Sequence, residues 1–226
     1  DLVKNHTFGR SGKKLPQVQA DWTAMVSNIG DRKADDFLKV LWTSQFGRVQ
    51  RGALFQKWKA RYKTQADVVS LSKDLVVGAE RFAALDAPDS DIWSEYSAEC
   101  RDYLKALKTV GNGQVRPIIM AAFDAFNEDR MEKLLRHLLV IIVRYQTVGK
   151  GRTGALEIAC AKVAQGIHEN KLKSPLQVWT EIKSTLRGPL TDDKLFREDF
   201  ERYSETNSSR ARYILRELER THDTGG

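Results

Sequence analysis

Between Glu128 and Val148 the chain reads EDRMEKLLRHLLVIIVRYQTV, and the middle of this stretch is apolar on every side of a helix. Glu128 and Asp129 fall in the first turn, where the helix dipole favours negative charge. A helix without a polar face is normally enclosed by other helices. Its longest uninterrupted apolar run, Leu138 to Val143, is far shorter than the roughly 20 residues that a membrane span needs. The stretch therefore demands a bundle around it, which the rest of the chain must supply.

Helical periodicity continues through almost all of that remainder. Leu15, Val18, Trp22, Met25 and Ile29 share one face, Pro16 suits a first turn, and Gly30 ends the pattern. Phe37, Leu38, Leu41 and Trp42 mark a helix over 32–44, and Leu54, Phe55, Trp58 and Tyr62 mark another over 52–64. A further helix covers 65–85, and Asp89, Ser90 or Asp91 is placed to cap the next. PIIMAAFDAF from Pro117 gives a short apolar helix, and ALEIACAKVAQGIHEN gives one after the central stretch. Ser174 caps a helix with Pro175 at its first position and Gly188 as its stop; Thr191 caps the next, and Ser208 or Ser209 the last. The expectation is an all-α, irregular multi-helix bundle of about ten or eleven helices with no significant sheet.

Residues 1–14 read as a polar lead-in, a linker from a preceding domain. Residues 15–220 form the helical domain, with GNGQVRP at 111–117 as a candidate subdomain break, and 221–226 read as a linker to a following domain.

Few residues in this pattern suggest reaction chemistry. Cys100 and Cys160 form neither a disulfide framework nor a zinc motif, which fits a reducing, cytoplasmic setting. No signal-like apolar segment is present, and no membrane partner is expected. His6, His137, His168 and His222 lack a second ligand at metal-binding spacing. Adjacent acids at Asp35-Asp36, Glu128-Asp129 and Asp192-Asp193 sit in first turns and do not share a helix face. Catalytic residues, metal ligands and cofactor-binding residues are therefore all expected to be none.

The charge balance points elsewhere. The net charge is +7 and the isoelectric point about 9.4, which favours a polyanionic partner. FGRVQRGALFQKWKARYKT, Phe46 to Thr64, contains Arg48, Arg51, Lys57, Lys59, Arg61 and Lys63 and no acid. Lys57 and Arg61 form one exposed strip and Lys59 and Lys63 another, while Trp58 and Tyr62 face the core. Such strips neutralise phosphates without reading bases. GKGRTG, with Lys150 and Arg152, precedes a helix as phosphate-binding loops do but lacks the P-loop pattern. These eight cations are the candidate nucleic-acid contacts.

Finally, DLVKNHTF, LPQVQADW, DDFLKVLWTSQFGRVQRGALFQKWK and RARYILRELE together resemble the central helical region of GmrSD-type modification-dependent restriction endonucleases of antiviral defence. The resemblance implies a nucleotide-hydrolysing domain with a D-G-Q-Q-R motif before this stretch and a His-Me finger nuclease domain with an H-x-x-P motif after it. A nucleoside triphosphate and a divalent metal would serve those two domains. Neither motif occurs in this chain, so no catalytic residue carries over. The expected role is a connector between the two domains that also touches the DNA backbone. The alternative is a free-standing helical adaptor that binds a protein partner.

Overall fold

The computed structural model describes residues 2–111 and 113–223, with twelve α-helices and no strand among them. The helices are α1 (Leu2–Arg10), α2 (Leu15–Ile29), α3 (Ala34–Phe46), α4 (Arg51–Arg61), α5 (Gln65–Ala84) and α6 (Ala98–Val110). They continue with α7 (Arg116–Ala125), α8 (Glu128–Ile141), α9 (Thr153–His168), α10 (Pro175–Thr185), α11 (Asp193–Glu201) and α12 (Ser208–Asp223). The all-α expectation holds.

The ends of the helices follow from capping chemistry. Gly30 closes α2 with φ 61°, a left-handed conformation that a side chain would disfavour. Thr64 and Asp67 form a reciprocal capping box at the start of α5. Ser174 caps α10 as expected, accepting from the Gln177 N–H. Elsewhere the capping residue differs from the expectation. Asp91–Trp93 is a single 3-10 turn, and α6 begins later, on Ser97. Asp192 rather than Thr191 caps α11, accepting from the N–H groups of Lys194 and Leu195. Asn207 rather than Ser208 or Ser209 accepts from the Arg210 N–H at the start of α12. Asp and Asn carboxyl and amide oxygens reach a little further than a hydroxyl and take these positions.

One buried cluster runs from Val3 to Leu190. It passes straight through the glycine-rich loop, since Val110 and Val115 on either side both belong to it. α2 packs on α5; α7 lies against α3 and α9; α8 lies between α6 and α10. The helix enclosed on all sides is α7, in which Pro117, Ile118, Ile119, Met120, Ala121 and Ala122 are all buried. α8 buries Leu134, Leu135, Leu138 and Ile141 completely, but Arg136 is exposed and Val140 is 36% exposed. Its apolar run looks all-round in sequence because it crosses a change of pitch. From Ile142 to Val148 the chain is π-helical, and the Gly149 N–H reaches back to the Arg144 carbonyl at 3.1 Å. The Gly151 N–H then bonds the Tyr145 carbonyl at 2.7 Å, and a Cβ on Gly151 would lie 2.5 Å from the Tyr145 ring.

Residues 2–10 depart most from the expectation. The lead-in is a helix packed on α2, α4 and α5, with Val3, His6 and Thr7 buried. His6 Nε2 meets the Tyr62 carbonyl at 2.8 Å, a contact that the local sequence does not announce. The expected linker over 221–226 is α12 as far as Asp223, and 224–226 lie outside the described residues.

Candidate nucleic-acid interface

α4 turns its aromatic residues inward. Leu54 and Trp58 are buried, and the Trp58 ring stacks on Tyr62 at 5.1 Å and meets Trp42 edge-on at 5.3 Å. Lys57, Lys59, Arg61 and Lys63 are all exposed. At about 100° per residue, Lys57 and Arg61 flank the buried stripe on one side and Lys59 on the other. On the first side, the Arg61 guanidinium lies 3.9 Å over the Phe46 ring, which fixes the cation against α3.

Arg48 and Arg51 belong to a different environment. Arg51 pairs with Asp36, and Arg48 lies 3.5 Å from Glu157, which also takes a 2.8 Å bond from Lys39. The acid-free window thus receives two carboxylates from α3 and α9. Lys150 and Arg152 are exposed, and Arg152 caps the start of α9, roughly 7.5 Å along the axis from Glu157 at 1.5 Å per residue. Arg48, Arg51, Lys150 and Arg152 therefore gather toward one end of the α3–α9 pair. Arg61 lies ten residues along α4 from Arg51, or about 15 Å. The eight candidates do not make one surface.

Three further cations join the Lys59–Lys63 side. The Arg10 Nε donates to the Lys63 carbonyl at 3.2 Å, and the Gln65 amide donates to the Ser11 carbonyl. These bonds lay the end of α1 and the 3-10 turn Gly12–Lys14 beside the end of α4. Gly12 has φ 49°, and a Cβ there would meet the Gln65 amide at 2.7 Å, so the turn requires glycine. Arg10, Lys13, Lys14, Lys59 and Lys63 are exposed and, among the described residues, in no ion pair. The single neighbouring acid is Asp67. Its carboxylate accepts the N–H groups of Thr64 and Lys63, and these bonds hold it below the usual carboxylate range. Arg10, Lys13 and Lys14 were visible in sequence as isolated cations. Only tertiary contact joins them to Lys63.

Glu157 carries a pH dependence. The hydrogen bond from Lys39 is the main reason its carboxyl titrates below the usual range, with the charges of Lys39 and Arg48 adding to it. A depressed carboxyl stabilises the fold above its unfolded value, near 4.5, and loses that contribution as pH falls through the folded value. Wild type should therefore exceed Glu157→Gln in urea midpoint at about pH 7, and the two should converge toward about pH 3. A gap that widens on acidification would contradict this.

The remaining reactive groups are structural. His137 Nδ1 contacts the Pro175 carbonyl at 3.3 Å and its ring packs on Trp179; burial lowers its affinity for protons. His168 lies edge-on to Phe46 on the exposed side, and the side chain of His222 lies outside the described residues. Cys160 is fully buried and its thiol is pushed far above the usual range; Cys100 is shifted the same way by burial. Among the described residues no three His, Cys, Asp or Glu side chains gather as a metal site, and no helix is long and apolar enough to cross a membrane. Comparison of the chain with family models, with curated proteins and with solved structures gives no match.

Proposed function

We propose that this chain is a non-catalytic helical connector of a GmrSD-type modification-dependent restriction protein, and that it touches the DNA backbone as it links a nucleotide-hydrolysing domain to a nuclease domain. The parent assignment rests on the quoted sequence resemblance. The DNA contact rests on one observation, the joined face of Arg10, Lys13, Lys14, Lys59 and Lys63, all exposed and outside any ion pair. Those five cations come from two segments, and none is attached to a base-reading element, so binding is indifferent to sequence. Lys57 and Arg61 point to the other side of α4 and contribute less.

Duplex binding should show a log–log salt slope of about −3 to −4, from three or four neutralised phosphates. Changing Arg10, Lys13, Lys14, Lys59 and Lys63 to Gln should bring that slope close to zero. Changing Lys57 and Arg61 to Gln should move it by less than about one. Gln keeps helix propensity near that of Lys, so melting temperatures stay comparable. Binding that ignores salt, or a slope unmoved by the five changes, would remove the DNA contact. The parent assignment has its own check: the coding frame should continue into D-G-Q-Q-R and H-x-x-P segments on either side.

The adaptor reading is favoured by one observation. α12 leaves Leu215 and Leu218 59% and 47% exposed on its outer side. Under that reading the five Gln changes leave partner binding intact, whereas Leu215→Ser with Leu218→Ser removes it.

A further inference from the structure

The face on α1 and α4 is not the only place where cations converge. A cleft of about 290 Å³ opens where α3, the start of α4, the start of α7 and α9 meet, with Phe82 of α5 at its floor. We propose that this cleft binds a doubly charged phosphate group, as inorganic phosphate or as the head of a phosphate monoester, between Lys39, Thr43, Arg51 and Arg116. The proposal goes beyond the connector reading and does not depend on it.

The charge count argues for an anion of two charges. Arg32, Lys39, Arg48, Arg51 and Arg116 face three carboxylates only, Asp36, Asp86 and Glu157. Each carboxylate is already occupied: Glu157 by Lys39 and Arg48, Asp36 by Arg51, Asp86 by Arg32 at 3.3 Å and Arg116 at 2.6 Å. Two positive charges are left over at a half-buried position, which no divalent cation relieves. A phosphate monoester carries close to two negative charges at neutral pH, whereas a backbone phosphodiester carries one. The side chains of Arg116 and Lys39 are only 21% and 27% exposed, so an anion here meets charges partly withdrawn from water.

Two neutral donors support the same reading. Thr43 lines the cleft, is 5% exposed, and its hydroxyl has no hydrogen-bond partner. Thr7 and Thr109, also on helices, donate to the carbonyl four residues back; Thr43 does not. Gln114 lines the cleft half-buried, and its amide is likewise without a partner. Buried polar groups are normally satisfied, and an unsatisfied hydroxyl facing a cationic cleft is explained by an acceptor that enters it. The Arg116 guanidinium is held in place over the Phe82 ring at 5.3 Å and by Asp86, so the cleft is built before the anion arrives.

Calorimetric titration of the whole chain with inorganic phosphate, adenosine 5′-monophosphate and adenosine tests this. One saturable site for the two phosphates and none for adenosine is expected. Equal affinity for both assigns the free anion; tighter binding of the nucleotide assigns an ester whose body rests beyond the cleft. Lys39→Gln and Arg51→Gln should each weaken phosphate binding about tenfold or more, as loss of a charge-assisted bond does. Thr43→Val should weaken it by about three- to tenfold. This last change keeps the side-chain shape and carries the test if either charge variant folds poorly. Lys59→Gln with Lys63→Gln, at the other end of α4, should leave the affinity within about twofold. No saturable heat up to about 10 mM of either phosphate would overturn the proposal. Equal losses in the Lys59/Lys63 variant and the cleft variants would overturn it as well, by showing diffuse attraction.

Discussion

Leu138→Asp should leave a chain with no cooperative melting transition. Leu138 is 0% exposed in the helix between α6 and α10, and it has Leu134, Leu135 and Ile141 on the same buried side. An unpaired carboxylate there costs several kcal/mol, or the group stays protonated and still forfeits its packing. Whole-domain stability is only about 5–15 kcal/mol, so one such change consumes much of it. Leu139→Asp is the control. Leu139 is half-buried, and its carboxylate can turn toward water, so that variant should still melt cooperatively at a lower temperature. Wild-type melting in Leu138→Asp would mean that α8 is not part of the core.

The second large effect is expected from Trp93→Ala. Trp93 is 0% exposed, its Nε1 donates to the Ala84 carbonyl at 2.9 Å, and its ring meets Tyr96 at 5.0 Å and Phe123 at 5.1 Å. Truncation opens a cavity beside the end of α5 and leaves a buried carbonyl without its donor. The combined loss is about 3–5 kcal/mol in urea unfolding. Trp93→Phe keeps most ring contacts and gives up the donor, so its loss should be clearly smaller. A Trp93→Ala loss within about 1 kcal/mol of zero would show that this corner repacks freely.

Most helices were legible because apolar spacing and glycine or proline punctuation are local. The faces of α2 and α3 were read residue by residue, and Val18, Met25, Phe37 and Leu41 are buried accordingly. What stayed hidden depends on partners distant in sequence. α1 has Gly9 near its end and a weak apolar face; the Tyr62 carbonyl and the neighbouring helices secure it. The capping residues of α6, α11 and α12 were misread because several Asp, Ser, Thr and Asn residues stood in a row at each start.

The candidate site was legible as composition and not as geometry. Arg48 and Lys59 look alike in a basic window. Nothing near Arg48 in sequence shows that Glu157, 109 positions away, will neutralise it. Likewise, nothing local says that Arg10 will meet Lys63, 53 positions on. The cleft around Thr43 needed four helices to be brought together before its charges could be counted.

The π-helical segment from Ile142 to Val148 has a consequence for the loop that follows it. A π run accommodates one residue more than an α-helix of the same rise, so the segment works as a phase shifter. Excising a single residue would return it to α pitch and rotate everything downstream by about 100°. Tyr145 would swing out from beneath Gly151, and Lys150 and Arg152 would face a new direction before α9 begins. The bearing of that basic loop is thus encoded in a count of residues rather than in their identity.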